Sequence, residues 1–366
     1  MACDSPMIIS QQYTLFDKIT VKAQATMPFE HRKEVDLSPY NTLGLPSVCQ
    51  YLGRFQSAND LQHAFEFAQK ERVPCFVMGG GSNILLPEYL PGVVLISSDA
   101  SIHVNGDEVT VGAGALWDNL VAETLKMGLF GLENLSSIPG TVGAAPIQNI
   151  GAYGVELDRF VVSVEVLDAQ SGLAETLMAD ECQFQYRDSL FKRHPERFVV
   201  TRLTLKLNPR FEPVLAYQDL QTLPAQSTAS AQGLRRAIQS IRAHKLPDHR
   251  IVGNVGSFFK NPILAKTVIE TLEQSHVIHR NARNAQGKVS AAALIQAAAL
   301  GDLHVGQAGI SPKHHLVLEN RGGATLTDIL TLASLIQEMI QTRFGIRLEI
   351  EPQQLTPLIH APNPNG

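Results

Sequence analysis

An excess of positive charge is missing from this chain: 30 lysines and arginines stand against 35 aspartates and glutamates, a net charge of −5. That excludes a basic footprint for non-specific nucleic-acid binding, while leaving room for a local site that takes an anionic ligand. Long apolar runs are missing too. The most apolar stretches, Cys75–Leu86 and Val289–Leu300, fall short of the roughly 18 residues that suggest a membrane span. Asp4 stands where a secretory leader would carry positive charge, and no long apolar core follows it. The expectation is a cytoplasmic protein with neither nucleic acid nor membrane as partner. Cysteine is scarce: Cys3, Cys49, Cys75 and Cys182 are widely spaced with no Cys-x-x-Cys, which reads as idle reduced thiols rather than a disulfide framework. The 12 histidines show no metal-ligand spacing on a shared helix face, so no catalytic metal is expected. What is present is a globular balance, 44% hydrophobic and 18% charged over 366 residues, enough for two or three domains.

Residues 1–26 are polar and irregular and read as a poorly ordered extension. From there to about Ser98 helix and strand alternate, as in a small α/β unit. Ser57 and Asp60 form a capping-box pattern ahead of Leu61, Ala64, Phe65 and Ala68, which share one helical face. Pro74 ends that helix, and Cys75–Met78 and Val93–Ile96 read as strands. The middle of the chain is punctuated by Gly and Asn/Asp, and Glu108–Val111, Phe160–Leu167 and Phe198–Leu207 read as strands of a large sheet. One helix interrupts them, from about Trp117 to Met127, closed by Gly128. A third region opens near Leu246-Pro247-Asp248. Its helical signals are Ala291–Leu300 and Leu326–Phe344; in the second, Leu326, Ile329, Leu330, Ala333, Ile340 and Phe344 line one face and Gly345 stops it. Ile346–Ile350 then reads as a strand, and Pro224–Gln232 as a loop.

Two segments carry the chemistry. Met78-Gly79-Gly80-Gly81-Ser82-Asn83 follows a strand directly, and three consecutive glycines let successive amides converge on a phosphate. It is not the Gly-x-Gly-x-x-Gly dinucleotide fingerprint. Gly112-Ala113-Gly114 comes nearer, but Trp117 occupies the third glycine position, and no Walker sequence occurs. The second segment, Ser136 to Gly154, holds small residues, glycines and two prolines almost without charge. An exposed loop would be polar, so a backbone pressed against a flat apolar cofactor explains it better.

Gly79–Asn83 and Ile138–Gly154 resemble the FAD-binding signature of the UDP-N-acetylenolpyruvoylglucosamine reductase family. Tyr186-Arg187-Asp188-Ser189, Gly256-Ser257-Phe258-Phe259-Lys260-Asn261-Pro262 and Leu348-Glu349-Ile350-Glu351 match the same family in the same order. Val214-Leu215-Ala216-Tyr217 is similar to the subgroup with a tyrosine-bearing substrate loop. The resemblance implies an α+β chain: a two-subdomain FAD-binding fold of the vanillyl-alcohol-oxidase type plus a C-terminal α/β substrate-binding domain. The expected division is an extension (1–26), a first FAD subdomain (27–98, completed by 346–366), a second (99–245) and the substrate domain (246–345).

The implied activity is NADPH-dependent reduction of UDP-N-acetylglucosamine enolpyruvate to UDP-N-acetylmuramate in peptidoglycan precursor synthesis, with hydride passing from FAD to C3 and a proton to C2. The FAD would be non-covalent and the protein a monomer. Arg187 then matches the arginine near the enolpyruvyl carboxylate, Ser257 the proton donor and Glu351 the catalytic glutamate, with Glu349 its nearest rival. The flavin contacts implied are Gly79, Gly80, Gly81, Ser82, Asn83, Ile138, Pro139, Gly140, Thr141, Gly143, Ala144, Ile147, Gln148, Asn149, Gly151, Ala152, Tyr153, Gly154 and Val200. Those implied for the substrate are Tyr186, Tyr217, Lys245, Asn261 and His314. Three positions depart from the family pattern: His314 where glutamine is frequent, Ala282 where relatives place a tyrosine against the nucleotide, and Pro352-Gln353-Gln354 after Glu351. The alternative is another flavoprotein of this architecture, an oxidase of sugars or alcohols. Several such oxidases tether FAD through a histidine or cysteine near the first glycine loop, and Gly79–Asn83 has neither.

Overall fold

The computed structural model describes residues 29–284 and 286–359, so expectations for residues 1–26 and Cys3 lie outside the described part. Three sheets organise the chain. The first has the order His31–Asp36, Val48–Phe55, Tyr89–Ser97, Cys75–Met78, antiparallel at the first pairing and parallel at the other two. The Ala58–Glu71 helix crosses over between its parallel strands. The capping box is present as read: the Ser57 side chain accepts from the Asp60 amide, and the Asp60 carboxylate accepts from the Ser57 amide. Leu61, Ala64, Phe65 and Ala68 are the buried face of that helix.

The second sheet is antiparallel throughout, in the order Ala174–Met178, Val161–Asp168, Phe198–Lys206, Glu108–Gly112, Ile102–Asn105. Trp117–Lys126 packs its apolar side into the same core. The third sheet runs Gly253–Ser257, Val317–Asn320, Ala308–Ile310, His304–Val305. Its core is shared with the helices Ala291–Ala297 and Leu326–Phe344; the latter ends where Gly345 turns to φ 69°.

The cores are not sealed from one another. Leu43, Leu45 and Leu85, early in the chain, are buried in the core of the third region. The chain end returns to the first region: Gln353–Gln354 pairs parallel with Ile84–Leu85, and Cys75 exchanges backbone hydrogen bonds with Leu358 and Ile359. Pro352 therefore does not prevent docking. It lacks an amide hydrogen, and the pairing begins one residue later.

Two expectations need correction. Ile346–Ile350 is not a strand; only Ile350 bridges, to Phe259. Ile346 and Leu348 are buried in the third core, so their alternation records burial without a partner strand. Pro224–Gln232 is not simply a loop either. It holds a helical turn, Ala225–Thr228, and the start of the Ala231–Lys245 helix, whose cap Ser230 accepts from the Gly233 amide at 3.1 Å. Short polar residues read as loop are also the preferred helix caps.

Cys49, Cys75 and Cys182 are buried and free, and desolvation pushes their thiols up to about 11, 12 and 12. With almost no thiolate present, these three should stay silent to Ellman's reagent at mildly alkaline pH and react only after denaturation. Prompt labelling of any of the three in the native protein, located by peptide mass spectrometry, would contradict this burial.

Candidate active site

The two glycine-rich segments meet face to face. Ser82 Oγ donates to the Pro139 carbonyl at 3.0 Å, and Asn83 Nδ2 to Gln148 Oε1 at 2.6 Å. At Gly80 a Cβ would lie 2.7 Å from Gly140 Cα, closer than real side chains approach backbone. Gly140 itself sits at φ 115°, a conformation that L side chains rarely adopt. The amides of Gly80, Gly81, Ser82 and Asn83 donate to no described residue. A turn with several unspent amides is an anion cradle.

Below this junction opens a cavity of about 880 Å³. Its walls are largely apolar, with Ile138, Ile147, Val199 and Val200 among them. Most of the flavin contacts implied by the sequence line it: Gly79–Asn83, Ile138–Thr141, Gly143, Ala144, Ile147, Gln148, Gly151 and Val200. Asn149, Ala152, Tyr153 and Gly154 do not line it. Asn149 is buried and fastens the loop, its Nδ2 donating to the Gln185 carbonyl and its Oδ1 accepting from the Asp158 amide.

Arg187, Ser257 and Glu351 all line this one cavity, although the sequence separates them widely. Arg187 lies at φ 54° in the turn Gln185–Asp188, where a positive φ at the third position ordinarily calls for glycine or asparagine. Its guanidinium is fixed from two sides. Nη2 donates to the Gly151 carbonyl at 2.6 Å, and Nε stands 3.2 Å from Glu351 Oε1. Nη1 is buried with no partner. Such a donor is costly to leave unmet.

Glu351 is 8% exposed. Burial raises its proton affinity above the ordinary carboxylate range, against the opposing charges of Arg187, Lys192 and Lys260. Glu349, its rival in the sequence, is a surface residue paired with Lys260 at 3.0 Å. Ser257 closes the Gly253–Ser257 strand just after a register irregularity opposite Val317, with Gly256 at φ 70° and Phe258 and Phe259 fully buried behind it.

The residues implied for the substrate lie outside the cavity wall in two groups. Tyr217, Lys245 and His314 gather at one edge. Lys245 Nζ pairs with Asp219 at 2.5 Å, its charge reaches both Tyr217 and His314, and Tyr217 meets Tyr153 edge-on at 5.4 Å. Tyr186 and Asn261 form the other. The Tyr186 ring has Lys288 Nζ 3.3 Å from its centroid and the Arg187 guanidinium at 5.2 Å, while Asn261 Oδ1 accepts from the Ala291 amide. Ala282 lies in a short turn, Arg280–Ala282, and its neighbour Arg283 pairs with Glu273.

Sequence reasoning missed Arg242. This half-buried arginine lines the cavity without a carboxylate of its own, since nearby Asp118 is taken in a two-pronged pair by Arg235. Desolvation and the charge of Arg187 both press its pKa downward. Its signal was present, a basic last turn before Pro247, but it is only visible once the Ala231–Lys245 helix is recognised. Among the described residues no group of three His, Cys, Asp or Glu side chains is placed to hold a metal ion.

Residues 247–355 match the model of the UDP-N-acetylenolpyruvoylglucosamine reductase C-terminal domain, and residues 50–177 that of an FAD binding domain. A UDP-N-acetylenolpyruvoylglucosamine reductase of Polynucleobacter asymbioticus is 39% identical over 339 residues, covering 90% of this chain and 98% of the relative. One of Pseudomonas aeruginosa is 40% identical, covering 89% and 99%. The chain belongs to the UDP-N-acetylenolpyruvoylglucosamine reductase family. A crystal structure of a UDP-N-acetylenolpyruvylglucosamine reductase from Thermus caldophilus aligns with a TM-score of 0.65 at 27% identity, covering 89% of this chain and 99% of that one. As a reductase of this family it has the FAD-binding fold of the vanillyl-alcohol-oxidase type followed by the family's C-terminal domain.

The cavity fits the flavin that this fold binds: its size, apolar walls and amide cradle suit a dinucleotide with a flat ring system. Gly80→Ala should push the two loops apart, costing about 1–3 kcal/mol of stability as overpacked sites do. It should also lower the flavin-to-protein absorbance ratio of the purified protein. Full FAD content in that variant would show that the loops do not meet in this way.

Proposed function

We propose that this reductase takes UDP-N-acetylglucosamine enolpyruvate to UDP-N-acetylmuramate with NADPH as electron source, in the synthesis of peptidoglycan precursors. The observation that carries the reading is the unpartnered Nη1 of Arg187, buried in the same cavity wall as Ser257 and Glu351. Bound FAD, held by Gly79–Asn83, Ile138–Gly151 and Val200, supplies the hydride acceptor and donor. Asn149, Ala152, Tyr153 and Gly154 support those loops without lining the cavity.

The protein's own side chains do the rest. Adding hydride to C3 of the enolpyruvyl group drives charge onto its carboxylate, and the barrier falls where fixed donors face that charge. Arg187 is such a donor, permanently charged and already oriented by Gly151 and Glu351. Ser257 delivers the proton to C2. A hydroxyl is a weak acid, and it serves only because the strand end and the buried Phe258 and Phe259 hold it in place. Glu351, held toward its neutral form, supplies the hydrogen bond of an undissociated acid to the same developing charge. A folded-state pKa above the ordinary carboxylate range keeps this acid protonated to higher pH, so the rate of substrate reduction falls as pH rises through that raised value.

At the edge of the cavity, Lys245, Tyr217 and His314 are suited to the diphosphate. Lys245 would exchange Asp219 for phosphate oxygens, and Tyr217, exposed and braced by Tyr153, would overlie the substrate. The similarity of Val214–Tyr217 to the tyrosine-bearing substrate loop supports membership of the tyrosine-loop subgroup. Asn261, with its Nδ2 uncommitted, and Tyr186 flank the enolpyruvyl end. The sheets support a division into 27–98 with 346–366, 99–245 and 246–345. A nucleotide sugar and NADPH as substrates imply a cytoplasmic enzyme, and we read it as a monomer.

The reading is tested anaerobically. NADPH should bleach the flavin, and UDP-N-acetylglucosamine enolpyruvate, not a sugar alcohol, should restore its yellow band; a band that stays bleached would overturn the assignment. In Ser257→Ala the first step should run at nearly its normal rate while the second slows about 10²-fold or more, as for loss of a general acid. Equal slowing of both steps would remove Ser257 from its role. Lys245→Ala should raise KM for the UDP-sugar with little change in kcat, and an unchanged substrate affinity would exclude it from the site.

A further inference from the structure

One half-buried cation beside the site has no role in the account so far. Lys192 lies in the single helical turn Leu190–Arg193, capped by Ser189, whose hydroxyl donates to the Ile147 carbonyl at 2.6 Å and accepts from the Lys192 amide at 3.2 Å. The turn is thereby tied to the second flavin-binding segment. From it the half-buried Lys192 reaches back, its Nζ donating to the Arg187 carbonyl at 3.1 Å. It does not line the cavity. Arg187 needs such a restraint. Its positive φ is strained for a residue other than glycine, and strain of this kind persists only where the surroundings over-determine it.

We propose that Lys192 is a positioning residue for the reaction: its ammonium clamps the carbonyl of strained Arg187 and stands as a fixed positive charge beside buried Glu351, without touching substrate. The inference rests on the roles given above to Arg187 and Glu351. The charged and titratable groups around Glu351 are Arg187 and Lys192 from the Gln185–Arg193 segment, Tyr186 beside them, and Lys260 from the segment after Ser257. Three of the four are cations, and Lys192 is the one that also holds the backbone of another. Asp188, the acid nearest Lys192 besides Glu351, is committed to Arg193.

The test uses Lys192→Met, which keeps the aliphatic stem, and Lys192→Arg, which keeps the charge, each as the flavin-loaded enzyme in anaerobic half-reactions. Losing a nearby cation raises a carboxyl pKa, so in the methionine variant the high-pH limb of substrate reduction should move upward by about half a unit or more. The step itself should slow about tenfold as Arg187 loses its register, while flavin reduction by NADPH stays normal. The arginine variant should keep the limb near its wild-type position. A wild-type limb and rate in Lys192→Met overturns the proposal, and so does complete loss of the limb, which would make it the titration of Lys192 itself. If the methionine variant does not fold, a displaced limb in Lys192→Arg overturns the proposal and a retained one supports it. Glu351→Gln separates this inference from the one beneath it. If that change leaves the limb in place, the role of Glu351 fails; if it removes the limb while Lys192→Met leaves it unmoved, only the role of Lys192 fails.

Discussion

The site depends on a guanidinium held from behind. Arg187 spends Nε on Glu351 and Nη2 on the Gly151 carbonyl, and what remains is Nη1, buried and without a partner among the described residues, on a side chain that lines the cavity. A free arginine on a flexible stem would have to be ordered when substrate arrives, at a cost in side-chain entropy. Here that cost is met in folding, together with the strain of a left-handed arginine. The Gly151 carbonyl belongs to the second glycine-rich segment and Glu351 to the chain end, so this one side chain ties the cavity's glycine-rich wall to the C-terminal segment. The same contacts explain Glu351. Three cations surround it, yet burial dominates and its carboxyl leans toward the protonated form. An acid and a permanent cation are thus kept side by side, in the states that the proposed chemistry would use.

That arrangement needs the three regions fixed against one another, and a short early segment does much of the fixing. The Thr42 amide donates to the Gly81 carbonyl in the first glycine loop, while the Thr42 carbonyl accepts from Asn254 beside Ser257. Asn320 Nδ2, in the third sheet, donates to the carbonyls of Leu43 and Gly44 at 3.0 Å each. Leu43 and Leu45 are then buried in the third core. The first glycine loop and the strand carrying Ser257 are therefore registered to the same few residues. Displacing one would displace the other.

What was legible in the sequence was whatever leaves a local signature. The Ser57–Asp60 capping box, the amphipathic face ending at Gly345 and the strand entering Gly79 all obey short-range rules and appear where those rules place them. The glycine loops were legible because close backbone approach leaves no choice of residue. The Ala231–Lys245 helix was not, because its cap sits in a Ser/Thr/Gln-rich stretch that also suits a loop, and Arg242 vanished with it. Ile346–Ile350 misled in the opposite sense: burial of alternate residues mimics a strand when the partner is a core and not a neighbour. Which of Glu349 and Glu351 is buried could not be read from two carboxylates one residue apart. The structure separates them although their spacing puts both on the same side of an alternating run: Glu349 lies at the surface with Lys260, and the alternation breaks at Glu351, which is buried beside Arg187. The positive φ of Arg187 left no trace in its residue type, being enforced by neighbours distant in sequence.

A net charge of −5 and a site for anions are reconciled by where the charges lie. Arg187, Arg242, Arg250 and Lys313 line the cavity, and among its carboxylates Asp118, Asp248 and Glu351 are each committed to an arginine. Lys192 and Lys245 add positive charge just behind the wall and at its edge. In a cleft with apolar walls such charges are screened less than on open surface, so they weigh more on an entering anion than the acidic groups spread over the outer surface. Both the nucleotide sugar and NADPH are polyanions, and a field of this shape favours their approach to the cleft over the rest of the surface. The overall acidity, in turn, opposes non-specific capture of other polyanions such as nucleic acids. Specificity for small anionic substrates thus begins with the placement of cations, before any individual contact is made.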